Sequence, residues 1–236
     1  MSRLQLASLI ALFDITTEEE MVDKKVSETN PKTQSSSGNR KFYEFGPDLT
    51  GGGPGHGLEF VNEEKLLTPP RIIVQPAEGG FPVLKEKPHI AYYSELGDAP
   101  RDLEGGMSGY WFISERLKEI FEKVDPDGFA FAECDYTLPD GSIGPKHYLC
   151  DVIRTLDALD EETSVMNAPT IYPTGEKVYD FTGKTSLQFR EQIVKSAHVF
   201  RLEYLKPLTI CDSLLFDACG SAPKLTGIRF RDVTKL

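Results

Sequence analysis

The sequence predicts an α+β protein, mainly antiparallel sheet with a few packed helices. Three observations predict it. Short alternating or aromatic runs recur between turn residues from "KFYEF" to "GIRF". Helical periodicity is confined to brief segments, the clearest lying between Ser114 and Pro126. The connections are short and turn-rich, which suits antiparallel pairing.

The first 39 residues stand apart. Leu4–Phe13 is a short apolar run, and "DITTEEE" follows with no small-x-small cleavage site, so it reads as a short amphipathic helix or an untidy start rather than a secretion signal. "VDKKVSETNPKTQSSSGNR" is polar and nearly free of apolar residues, as in a linker or disordered arm. Residues 1–39 are therefore expected to be an extension, and 40–236 one α+β domain.

"KFYEF" is the first strand, and the Gly-rich "GPDLTGGGPGHG" is a surface loop. That loop has neither GxxxxGK[ST] nor GxGxxG, so it is not read as a phosphate cradle. "RIIVQPAEGG" and "HIAYYSEL" contain strand-like runs. "YWFISERLKEIFEKVDPDGFAFAECD" reads strand, cap, helix, turn, strand. Ser114 is placed to cap the helix. Leu117, Ile120, Phe121 and Val124 form one apolar stripe, and Glu119 and Lys123 are spaced to pair outside. Pro126 stops the helix. "KHYLCDVIRTLDALD" reads as a long strand pairing back onto the previous one. "KVYDFTGKTSLQFR" reads as a hairpin and "AHVFRLEYL" as another strand. The closing block "LTICDSLLFDACGSAPKLTGIRFRDV" echoes the earlier strand–helix–strand unit when Ile113 is aligned with Ile210 and Leu117 with Leu214.

Composition sets bounds on function. With 39% hydrophobic and 27% charged residues the chain is ordinary globular material. A net charge of −11 disfavours direct nucleic-acid or anionic-membrane binding and favours basic partners. No segment approaches the roughly 18 apolar residues of a membrane span. Cys134, Cys150, Cys211 and Cys219 form no CxxC pair and have no histidines at metal-ligand spacing. They read as reduced, buried thiols of a cytosolic protein, and neither metal nor cofactor is expected.

No catalytic constellation emerges. In "KHYLCD", His147 and Cys150 fall on opposite faces of a strand, which is poor geometry for a thiol–imidazole dyad. Cys134 could approach His147 across a hairpin, which keeps a Cys-dependent hydrolase as one alternative and a general binding scaffold as another. His198 reads as a hydrogen-bonded core or rim residue. Trp111 reads as core. The densest acidic run of the folded part is Asp157, Asp160, Glu161 and Glu162, with Asp151 as an outlier. It lacks the alternating ligands and glycine of a calcium loop. It reads either as a solvated face or as a patch that meets a basic partner.

Three stretches together, "YWFISERLKEIFEKVDPDGFAFAECD", "YLCDVIRTLDALDEETS" and "HVFRLEYLKPLTICDSLLFDACGSAPKLTGIRFRDV", resemble the eleventh immunity family of bacterial polymorphic toxin systems. The resemblance runs from about Arg40 to Asp232. It is strongest from Tyr110 onward and loose over Gly46–Gly57. It implies a non-enzymatic cytoplasmic protector, with a toxin-modifying enzyme as the alternative. Such a protein binds a cognate toxin encoded by a neighbouring gene and delivered by type VI or related secretion, with a basic nuclease as the expected kind. On charge alone, Asp151, Asp157, Asp160, Glu161 and Glu162 are the expected toxin contacts.

Overall fold

The computed structural model describes residues 40–50 and 56–236. The expected 1–39 extension and the middle of the Gly-rich loop lie outside these residues. In chain order the elements begin with β1 (Phe42–Pro47), β2 (Leu58–Phe60), α1 (Glu63–Leu66), β3 (His89–Tyr92) and β4 (Leu103–Met107). Next come β5 (Tyr110–Ser114), α2 (Glu115–Val124), β6 (Phe129–Glu133), β7 (Asp135–Thr137) and β8 (His147–Val152). After these come β9 (Thr155–Leu156), β10 (Thr170–Ile171), β11 (Lys177–Val178) and α3 (Glu191–Val194). The chain closes with β12 (Val199–Leu202), β13 (Leu205–Asp212), α4 (Ser213–Ser221), β14 (Ile228–Asp232) and a 3-10 turn. The class is α+β, as expected.

Two sheets carry the architecture, one ordered β4-β5-β8-β6 and the other β14-β1-β13-β12-β9. Each contains the same device. β4 and β5 are an antiparallel hairpin, α2 follows, and β6 returns parallel to β5 with β8 inserted between them. β12 and β13 are likewise a hairpin, α4 follows, and β14 returns with β1 inserted. The inserted strand follows the first unit in sequence but precedes the second, so the two units are related by a circular permutation. A helix between the parallel strands is what such a crossover requires.

The repeat is in a different register from the sequence alignment. Ser114 and Asp212 both stand at the helix N-cap position, so Leu117 corresponds to Leu215 and Phe121 to Cys219. Leu215 is fully buried and Leu214 is 51% exposed, so packing sets the match one residue further on than the sequence alignment.

Both faces of both sheets are buried, which produces three cores. Alternation along the strands feeds them. Ile113, Cys150, Val199 and Cys211 meet Leu117, Phe121 and Leu215 in the central core. Phe112 and Leu149 face a second core under the β2-β3-β7 sheet, and Phe200 and Ile210 face a third with Leu159 and Leu187.

The two units grip each other reciprocally. Residue Asp102, just before β4, accepts from Ser114 N–H through its carbonyl at 3.0 Å, and its carboxylate binds the Thr226 backbone N–H of the other unit at 2.8 Å. In the second unit His198 O accepts from Asp212 N at 3.1 Å, and His198 N donates to Asp125 of the first unit at 2.7 Å. Two glycines make the approach possible. A Cβ on Gly128 would meet Val199 Cγ1 at 2.4 Å, and one on Gly227 would meet Leu103 O at 2.3 Å.

Several local expectations change. Ser114 makes no capping bond, because its hydroxyl donates to Asp102 at 2.8 Å. The i, i+4 pair on α2 is Lys118–Glu122 rather than Glu119–Lys123, and Lys118 also lies over Phe131 and Tyr148. β8 stops at Val152. Arg154 turns its guanidinium to Asp125, and the chain crosses to the other sheet, where β9 pairs parallel with β12. "RIIV" is not a strand: the prolines around it remove ladder donors, and Val74 alone of its residues is fully buried. "KVYDFTGKTSLQFR" does not fold on itself, because β11 pairs back onto β10.

Gly227 has φ +79° and faces a backbone oxygen, whereas Gly128 needs no positive φ and faces the buried side chain of Val199. We expect Gly227→Ala to destabilise by about 3 kcal/mol and Gly128→Ala by about 1–2 kcal/mol. Urea denaturation of the two variants checks the order.

Candidate functional site

The acidic run sits on the turn after β9. Ala158 and Leu159 anchor it in a core at 0% and 1% exposure, and an isolated bridge ties Leu159 to Phe189. The acids flank this buried pair and stand outside it. Half of their charge is answered by cations. Asp157 pairs with Arg190 at 3.0 Å. Asp160 accepts from the N–H groups of Glu162 and Thr163, and the Thr163 hydroxyl, helped by these N–H groups, holds its carboxyl below the usual range. Glu161 pairs with Lys177 and accepts from Tyr179 at 2.9 Å. Glu162 is exposed, and its carboxylate has no partner among the described residues.

Asp151 is separated from this group. It is fully buried under the segment before β3. It receives Gln75 Nε2 at 2.6 Å, Gly80 N at 2.5 Å and Arg201 at 2.7 Å. Burial raises its carboxyl despite these partners. It presents no oxygen to solvent, so the structure brings together four of the five expected residues and gives Asp151 an internal role.

Buried carboxylates are also the frame of the unit contact, and sequence reasoning missed them. Burial alone would raise Asp102, but Arg116, Ser114 and Thr226 hold it down to about 2. Asp125 is buried too, yet Arg154 and the His198 and Val199 N–H groups lower it. Asp212 caps α4 through the Leu214 and Leu215 N–H groups and pairs with Arg40 at 2.7 Å. The sequence signal for Asp212 was an acid directly after an apolar run, in "LTICDSLL".

The thiols are poorly placed for nucleophilic work. All four are buried. Burial pushes Cys134 and Cys219 up to about 12, and Cys150 and Cys211 well above their ordinary value. His147 stacks on Phe112 at 4.6 Å and bonds Pro145 O, while Cys150 faces the central core. The Cys134 thiol donates to Ala132 O at 3.6 Å. His198 holds Asp212 at 2.8 Å, as a bonded rim residue. Among the described residues, no three His, Cys, Asp or Glu side chains converge to hold a metal ion, and no helix is long and apolar enough to cross a membrane.

The model of the immunity protein family Imm11 matches residues 41–235, and the chain belongs to that family. No curated protein matches the sequence.

Two outcomes follow. Asp102 is depressed to about 2, so it contributes stability above the ordinary carboxylate value of 3.8 that is lost as pH falls towards 2. Asp102→Asn should cost about 3 kcal/mol at neutral pH and flatten the loss of stability on the acid side, read by urea titration at several pH values. Separately, iodoacetamide at mildly alkaline pH should label none of the four cysteines in the native protein and all four after denaturation, counted by mass.

Proposed function

We propose that this chain is a cytoplasmic immunity protein that binds and neutralises a secreted antibacterial toxin without catalysis. Family membership over residues 41–235 carries this reading. The toxin is a basic protein encoded by a neighbouring gene and delivered by type VI or related secretion, and a nuclease is the best fit. A nuclease active site is positive because it holds phosphates. A chain of net charge −11 attracts such a surface and speeds the encounter. Tight holding is also needed, and a nanomolar complex requires about −12 kcal/mol. Buried anchors supply most of that, while exposed charge sets rate and partner choice.

Within the acidic run, Asp160 and Glu162 are the best placed to meet a cation. Asp157 and Glu161 would first have to share or release Arg190 and Lys177.

The test is co-purification with the neighbouring gene's product in a catalytically weakened form. A stoichiometric complex whose association slows as salt rises is the expected result. Reversing Asp157, Asp160 and Glu162 to lysine should lower the association rate about tenfold at low salt. No complex, with toxin activity undiminished in the presence of this protein, would overturn the reading. An unchanged rate would remove the acidic run from the interface.

A further inference from the structure

β1 and β13 pair over only three positions, Phe42↔Asp212, Tyr43↔Cys211 and Glu44↔Ile210. Beyond them β1 stays with β14 as far as Pro47↔Ile228, while β13 stays with β12. The two strands therefore splay, and Pro207 has no N–H to bridge the gap. A cleft of about 220 Å³ lies in the splay, between Phe45–Pro47 and Pro207–Thr209. A larger cavity of about 680 Å³ adjoins it, bounded by the strap Pro70–Ala77. Trp111, Pro207 and Thr209 line both, so the two form one groove with the indole at its junction.

The groove's charge is opposite to that of the molecule. Among the described residues, Arg71, Arg201, Lys206 and Arg229 line it against one acid, Glu44, which is paired with Arg231. Arg201 is tied to Asp151, yet its Nε is buried with no hydrogen bond. Arg71 makes only a long contact, 3.4 Å to Val74 O. Ile72 is 87% exposed along the same wall. That exposure does not come from a loose strap. Val74 N is bound by Ser108 Oγ at 2.6 Å, Gln75 by Asp151, and Gly80 O by the Tyr110 hydroxyl at 2.8 Å. The wall is built in place before any partner arrives, which lowers the ordering cost of binding.

Resting on the toxin-binding reading, we propose that this groove receives an extended acidic segment of the toxin. Its carboxylates meet Arg71 and Lys206, and an apolar side chain lies against Trp111. Charge complementarity selects an acidic occupant in a chain that otherwise repels acids. The apolar floor of Trp111, Ile72 and Pro207 selects a peptide over a bare anion, which would gain nothing from it. The part of β13 that β1 leaves unpaired adds backbone that an extended segment can use. Bulk acidity brings a basic toxin close, and the groove fixes its register.

The test measures the dissociation constant of the weakened neighbouring-gene product for the full chain, for Arg71→Glu/Lys206→Glu, and for Ile72→Glu. All three positions lie outside the cores, and an unchanged urea midpoint confirms folding. Each variant should weaken the complex, the double reversal by about 30-fold or more. Affinities within about threefold of wild type would overturn the groove while leaving toxin binding intact. No complex with the wild-type chain would sink both. Trp111 is the only tryptophan, so its emission reports groove occupancy directly. If millimolar inorganic phosphate shifts that emission and the double reversal abolishes the shift while toxin affinity holds, the groove is a small-anion site and the proposal is wrong.

Discussion

The structure depends on one reciprocal contact: the residue that opens each hairpin bonds its own helix cap and the turn of the opposite unit. Asp102 does this for the first unit, through Ser114 and Thr226, and His198 for the second, through Asp212 and Asp125. The polar roles are exchanged between the two, with an acid at the hairpin in one unit and at the cap in the other. Either arrangement satisfies donors that burial would otherwise leave unpaired. Gly128 and Gly227 clear the space, and α2 meets α4 across the central core. Without this clasp neither unit would have a second layer to cover its helix.

The clasp also decides where charge can act. Arg116, Arg154 and Arg40 are committed to Asp102, Asp125 and Asp212, and Arg201 to Asp151. Breaking one such pair leaves a buried charge behind, so these groups hold shape. The charge left for partners lies on turns and rims. There it divides into an acidic run that is half answered by Arg190 and Lys177, and a cationic groove at the splay of β1 and β13. A stiff frame carrying two surfaces of opposite sign suits recognition of one particular protein better than general stickiness.

How much of this was legible follows from the range of the forces. The α2 stripe was readable because Leu117 and Phe121 need only the helix period to find the core. The alternation of Tyr148, Cys150 and Val152 against Leu149 was readable for the same reason. The repeat was visible as a shape but misregistered by one residue, because identity matched Leu117 to Leu214 where burial matches Leu215. The end of β8 was not legible. It depends on Arg154 finding Asp125, 29 residues away in sequence. Asp151 looked like one more surface acid because nothing local announces the strap that covers it. Trp111 read as core and is half core, since its other side lines the groove.

By itself, then, the sequence determined the class, the helices and strands whose period is local, the buried state of the cysteines and the family. Those follow from side-chain spacing and composition, which act over a few residues. Tertiary structure alone decided that two units clasp by exchange of turns, that β1 completes a unit begun near the other end of the chain, and that Arg71, Lys206 and Arg229 share one groove. These are consequences of contacts between residues far apart in sequence, whose pairing energy exists only once the sheets have been placed.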